Sequence, residues 1–143
     1  MKTKIWMSNP YYIIKPEEGI VVCKIRAASD IRDVFDCFGF HRKPVNKLIK
    51  KFNLSDIETP REFSAITKLR KGDKWDVTLG KRIAESKCKR NIFKFYYRLY
   101  TECIECLLQE IAKFNLICDA TLYAAQKENK HLKELIGNED NNR

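Results

Sequence analysis

From Ala84 onward the chain carries one long seam of apolar residues in which every step is three or four positions. It runs Ala84, Cys88, Ile92, Tyr96, Leu99, Cys103, Leu107, Ile111, Phe114, Cys118, Leu122 and Ala125, and resumes after Asn129 at Leu132 and Ile136. That period is the mark of an amphipathic α-helix, and no proline follows Pro60 to interrupt it. Lys71-Gly72-Asp73 reads as a turn ahead of it, and Asp76 or Thr78 can cap its start. Unbroken over residues 77–136, such a helix would measure on the order of 90 Å, more than one small sheet can cover. Either it folds back as a helical hairpin near Lys113 to Asp119, where Asn115 and Asp119 can end and restart a helix, or it pairs with another copy as a coiled coil. We expect the break. Gly137 reads as a C-cap, and residues 137–143 as a disordered tail.

Ahead of the seam the pattern changes. Residues 3–7 and 11–14 are short apolar pieces around Asn9 and Pro10, Lys15-Pro16-Glu17-Glu18-Gly19 is a turn, and Ile20-Val21-Val22-Cys23-Lys24-Ile25 is a β-branched run. This predicts a β-hairpin over residues 3–27. A further strand is expected at 62–70, where Phe63, Ala65, Thr67 and Leu69 alternate with Ser64, Ile66 and Lys68. Between them a helical insert at 30–54 opens at Ser29 or Asp30 and is interrupted at Gly39, giving two short helices. Five glycines and four prolines in 143 residues are too few for a turn-rich all-β fold. The expected class is therefore α+β: a small antiparallel sheet of about three strands, two short helices, and a long C-terminal helix or helical hairpin, in one domain over residues 1–136.

Charge is uneven. The net formal charge is +9, from 28 Lys and Arg against 19 Asp and Glu. Residues 68–98 carry 11 basic side chains against three acids, and residues 41–51 carry five bases and no acid, so the remainder of the chain is net negative. Concentrated positive charge points to a polyanionic partner. No apolar run approaches the roughly 20 residues of a spanning helix, and Ser8-Asn9-Pro10 follows too closely on Ile5-Trp6-Met7 for an export signal. A cytoplasmic protein, in the host cytoplasm if phage-encoded, with no membrane partner is expected. The six cysteines then read as free thiols.

With Gly39 as the mid-turn glycine, Val34, Phe38, Phe40, Val45 and Leu48 occupy the spacing of a DNA-reading helix-turn-helix. Asp30 to Phe52 resembles that family, with Phe35 standing where a small residue normally lets the helices approach. The resemblance implies a second helix that presents Arg42, Lys43, Asn46, Lys47, Lys50 and Lys51 to a groove. A second resemblance lies in Phe63-Ser64-Ala65-Ile66-Thr67-Lys68, Gly72-Asp73-Lys74-Trp75-Asp76 and Gly80-Lys81-Arg82-Ile83-Ala84-Glu85-Ser86-Lys87. It is similar to small uncharacterised bacteriophage and prophage proteins in which a strand ends in a Gly-Asp-x-aromatic-Asp turn and enters a Gly-Lys-x-Ile-Ala helix. Physically this is a strand-to-helix corner, with Trp75 beneath the turn, Asp76 capping, and Gly80 and Ala84 allowing close approach.

Lys87, Arg90, Lys94 and Arg98 share one face of the long helix, with Phe93, Tyr97 and Tyr100 in an adjacent stripe. Bases edged by rings suit single-stranded nucleic acid, though rings at helical spacing also build cores. Cys103-x-x-Cys106 has no second ligand pair, His41 and His131 stand apart, and neither a nucleophile setting nor a phosphate-binding glycine loop occurs, so no enzyme, metal or cofactor is expected. The leading expectation is a small non-enzymatic phage-type protein, regulatory in role, that binds DNA or a nucleoprotein complex through its two basic blocks. One rival is an anti-CRISPR-like inhibitor that binds a host defence protein such as a nuclease. The other is a structural module that forms a homodimer through residues 92–136.

Overall fold

The computed structural model describes residues 5–29, 47, 50–53, 59–70 and 72–140. Among these residues four strands, β1 (Ile5–Met7), β2 (Tyr11–Lys15), β3 (Ile20–Ser29) and β4 (Arg61–Lys68), form one antiparallel sheet, and a helix, α1 (Val77–Asp140), follows. The chain divides into two units, Met1–Cys103 and Ile104–Arg143. The first unit holds the sheet and the opening of α1; the second is helical.

Strand β3 is the spine of the sheet. Its Ala27 pairs with Met7 of β1 and with Arg61 of β4. A strand residue has only two hydrogen-bonding edges, so β1 and β4 lie on opposite sides. Lys24 is likewise shared between Tyr11 of β2 and Ser64 of β4. Strands β1 and β2 therefore follow one another along the same edge of β3, and the sheet is three strands wide, as expected, with one edge strand broken. Between the pairs Met7–Ala27 and Tyr11–Lys24, three residues, Ser8 to Pro10, oppose two, Ile25 and Arg26. That extra residue makes the break a β-bulge, and Pro10, lacking an N–H, is tolerated there. Ser8 closes it: its N–H donates to the Arg26 carbonyl at 2.8 Å, and its hydroxyl oxygen accepts the Arg26 N–H at 3.0 Å. At the other end, a 3-10 turn at Pro16–Glu18 delivers the chain to Gly19, whose φ of 61° is the left-handed region a glycine adopts without strain.

Alternate residues of β3 face α1, and Val21, Cys23, Ile25 and Ala27 are almost fully buried. They meet the first part of the predicted seam, Ala84, Cys88, Ile92, Tyr96 and Leu99, all at most 1% exposed. The Tyr96 hydroxyl donates to the Ala27 carbonyl at 2.9 Å, and the Cys88 thiol to the Phe63 carbonyl at 3.4 Å. Ser29 and Tyr100 share a hydrogen bond of 2.8 Å. These contacts show strand and helix running in the same direction. Their lengths agree: about 26 Å of strand from Val21 to Ser29 at ~3.3 Å per residue, and about 30 Å of helix from Gly80 to Tyr100 at ~1.5 Å per residue.

Several expectations are revised. Helix α1 continues through Asn115 and Asp119, so the fold-back at Lys113 to Asp119 does not occur. It also passes Gly137, the expected C-cap, to reach Asp140. Isolated polar residues and one glycine cost a helix no more than about 1 kcal/mol each, too little to stop it between strong helix formers. Of the expected helical insert, residues 30–46, 48, 49 and 54 lie outside the described residues, as do residues 141–143 of the tail; Lys47, Lys50 and Lys51 are helical. Cys23, Cys88, Cys103, Cys106 and Cys118 are free thiols, and Cys118 is exposed. Among the described residues no helix is long and apolar enough to cross a membrane.

Two predictions follow from the buried seam. Tyr96→Phe strands the Ala27 carbonyl and should lower unfolding stability by about 1–2 kcal/mol in denaturant titration. Burial and the adjoining Cys88 push the Cys23 thiol up to about 11. A neutral thiol favoured by the fold stabilises fully below the ordinary thiol pKa, and that contribution is lost as pH rises through the folded value. The melting temperature should therefore fall between about pH 9 and 11, and less so in Cys23→Ala than in the parent.

Candidate nucleic-acid interface

Helix α1 opens on Asp76, whose carboxylate accepts the Leu79 N–H at 2.9 Å, the capping role expected of it. Gly80 then sets the helix close to the sheet, since a Cβ there would stand 3.0 Å from Val21 Cγ2. With this face fixed inward by Gly80, Ala84, Cys88 and Ile92, the opposite face is fixed outward. It presents Arg82, Ser86, Arg90, Phe93, Lys94 and Tyr97, all exposed. Phe93 is 43% and Tyr97 72% exposed, unusual for rings one turn apart on a helix packed to a sheet. A shallow open groove joins Arg82, Ser86, Arg90, Phe93 and Lys94, with Glu85 and Lys89 on its border.

The carboxylate on that border is already committed. Glu85 accepts from Lys89 at 2.6 Å and from the Tyr12 hydroxyl at 2.7 Å, and these two donors hold its carboxyl below the usual range. Burial and the Glu85 carboxylate push the Tyr12 phenol up to about 12, so it stays a donor. Among the described residues Arg82, Arg90 and Lys94 form no ion pair.

The four cations expected to act as one face separate. Arg90 and Lys94 point outward. Lys87 is partly buried and turns to the sheet, donating to the Ile66 carbonyl at 3.4 Å. Arg98 leans over the Phe52 ring, 5.9 Å from its centroid. Tyr100, expected in the exposed stripe, is half-buried on Ser29 instead, because it sits one turn beyond Tyr96 at the end of the inward face. Arg82 is the residue that sequence reasoning passed over as a site; its signal was its place two turns before Arg90.

The second basic block meets α1 on one flank. Lys51 pairs with Glu102, Phe52 is buried edge-on against Phe95 with centroids 5.6 Å apart, and Arg61 donates to the Phe52 carbonyl at 2.9 Å. Lys47 and Lys50 remain exposed beside this anchor. Arg42, Lys43 and Asn46 lie outside the described residues. Thus Lys51 is spent on a structural ion pair, while the neighbouring lysines stay available. Cys103 is buried and Cys106 half-buried, and no group of three His, Cys, Asp or Glu side chains among the described residues could hold a metal ion.

Side chains that serve the fold and side chains that do not should separate in stability measurements. Arg90→Ala and Lys94→Ala should each leave unfolding stability within about 0.5 kcal/mol of the parent, whereas Phe52→Ala should cost about 3 kcal/mol or more. No protein-family model, curated protein or solved structure matches the chain.

Proposed function

We propose that this protein binds nucleic acid without catalysis, through the outward face of α1, with backbone phosphates at Arg82, Arg90 and Lys94 and bases stacked on Phe93 and Tyr97. The observation that carries this reading is that three cations without ion pairs among the described residues surround two exposed rings on one helix face. Cations held for solubility alone need no aromatic neighbours, and rings held for packing alone would be covered. Side by side, they match the two halves of a nucleotide.

Each phosphate neutralised by Lys or Arg releases condensed counterions, which makes affinity fall with salt. Stacking requires bases that are unpaired, so single strands suit this surface better than a duplex. Ring contact tolerates any base, and the reading is therefore one of weak sequence preference. Lys47 and Lys50 extend the positive field on the flank where Lys51 is anchored to Glu102.

The test is a titration of the full chain against a labelled single-stranded oligonucleotide and its duplex at several salt concentrations. Tighter binding of the single strand is expected, with log K falling linearly in log salt by about 0.7 per phosphate contact. Arg90→Ala with Lys94→Ala should remove about 1.4 from that slope. Tyr97→Ala should cost about 1–3 kcal/mol of affinity and leave the slope in place. Binding of neither form, or affinity indifferent to salt, ends this reading.

A further inference from the structure

The second unit carries a feature that the nucleic-acid reading does not use. Beyond Cys103 the seam continues at three- and four-residue steps, but its side chains are open: Ile111, Phe114, Leu122, Leu132 and Ile136 are each more than half exposed. Contiguous apolar surface of this extent marks an interaction site. The question is what covers it, and the spacing together with the charges identifies the partner.

From Leu122 to Ile136 the steps are three, four, three and four, the heptad repeat of a two-stranded coiled coil. Upstream, Leu107, Ile111, Phe114 and Cys118 keep the same alternation, and the single four-residue step from Cys118 to Leu122 is a stutter, which locally unwinds a supercoil without ending it. One polar residue, Asn129, occupies the seam. An asparagine at one such position is the device by which parallel dimers fix register, because it meets its own copy across the axis, whereas against an apolar layer it would be left unpaired. Charge agrees. Glu128 immediately precedes Asn129, and Lys133 lies five positions beyond Glu128; in a parallel in-register pair these are the positions that face each other between chains. Within the chain neither makes an ion pair among the described residues. In an antiparallel pair the flank carrying Glu128 would instead face its own copy, bringing Glu128 towards Glu110.

We infer that the second unit is the dimerisation element of this protein, and that it pairs with a second copy of itself as a parallel, in-register coiled coil over residues 107–136. The occupant of the open seam is the same seam on another chain. Such a dimer carries two copies of the outward cationic face, so both could engage one long polyanion, although the pairing does not depend on that activity. It also sets Cys118, an exposed thiol, at the axis opposite its own copy. An antiparallel pair centred between Cys118 and Leu122 would oppose those two residues instead.

Light scattering and mild oxidation of the full chain test the inference. The parent should show twice the chain mass over a wide concentration range, and diamide should convert it to a covalent dimer, each pair of thiols giving up two electrons and two protons to the reagent. Cys118→Ser should abolish the cross-link and keep the dimeric mass. Leu122→Glu, at a side chain already 59% exposed, should halve the mass. A monomeric parent, a mass above that of a dimer, or a dimer whose cross-link is absent or survives Cys118→Ser overturns the proposal. Oligonucleotide affinity of Leu122→Glu reads the other surface separately.

Discussion

The first unit depends on a size match between β3 and the opening of α1. Where the strand offers a branched side chain, Val21, the helix offers Gly80; where the strand ends in Ala27 and Ser29, the helix supplies Tyr96 and Tyr100. Large meets small at both ends, so helix and strand can run side by side over about 26 Å without a clash. The middle is filled by Cys23, Ile25, Cys88 and Ile92, all fully or almost fully buried. Each fully buried large apolar side chain contributes roughly 1.5–3 kcal/mol, and the Tyr96 and Tyr100 hydroxyls bond to the strand.

That match determines the chemistry of the other side. A helix committed along Gly80, Ala84, Cys88 and Ile92 has no freedom in where Arg82, Arg90, Phe93 and Lys94 point. The outward face thereby carries its cations and rings in a fixed order along the helix. Surface ion pairs absorb Lys51 and Lys89, at Glu102 and Glu85, and leave Arg82, Arg90 and Lys94 without an ion pair among the described residues. On the proposed nucleic-acid reading, a continuous helix beneath long cationic side chains suits an irregular polymer, because such side chains adapt to phosphate spacing while the helix keeps their order.

Much of this was legible beforehand. The strand alternation at Phe63, Ala65 and Thr67, the hairpin turn at Gly19, the Asp76 cap and the close approach at Gly80 all follow from local chemistry and are found. What local chemistry missed was continuity. Asn115, Asp119 and Gly137 are plausible helix breakers one at a time, but a helix ends when several signals coincide, and around these positions Leu116, Ala120 and Leu135 favour the helical state. The site was half legible. Spacing places Lys87, Arg90, Lys94 and Arg98 near one another, yet spacing cannot say that Lys87, one residue before buried Cys88, has a strand carbonyl within reach, or that Phe52 arrives from elsewhere in the chain to sit under Arg98. Tyr100 shows the same limit, since its partner Ser29 is 71 positions away.

The bulge at Ser8 to Pro10 affects more than the path of the chain. Without it, residues 5–15 would line β3 as one flat ribbon, and its outer border would offer a long unbroken ladder of amide donors and carbonyl acceptors to any extended polypeptide it met. Ser8 turns its hydroxyl back onto Arg26, and Pro10 has no amide hydrogen to offer. The ribbon is cut into pieces of three and five residues, too short to template a foreign strand. One misaligned residue thus denies this flank of the sheet the long unbroken border on which edge-to-edge association depends.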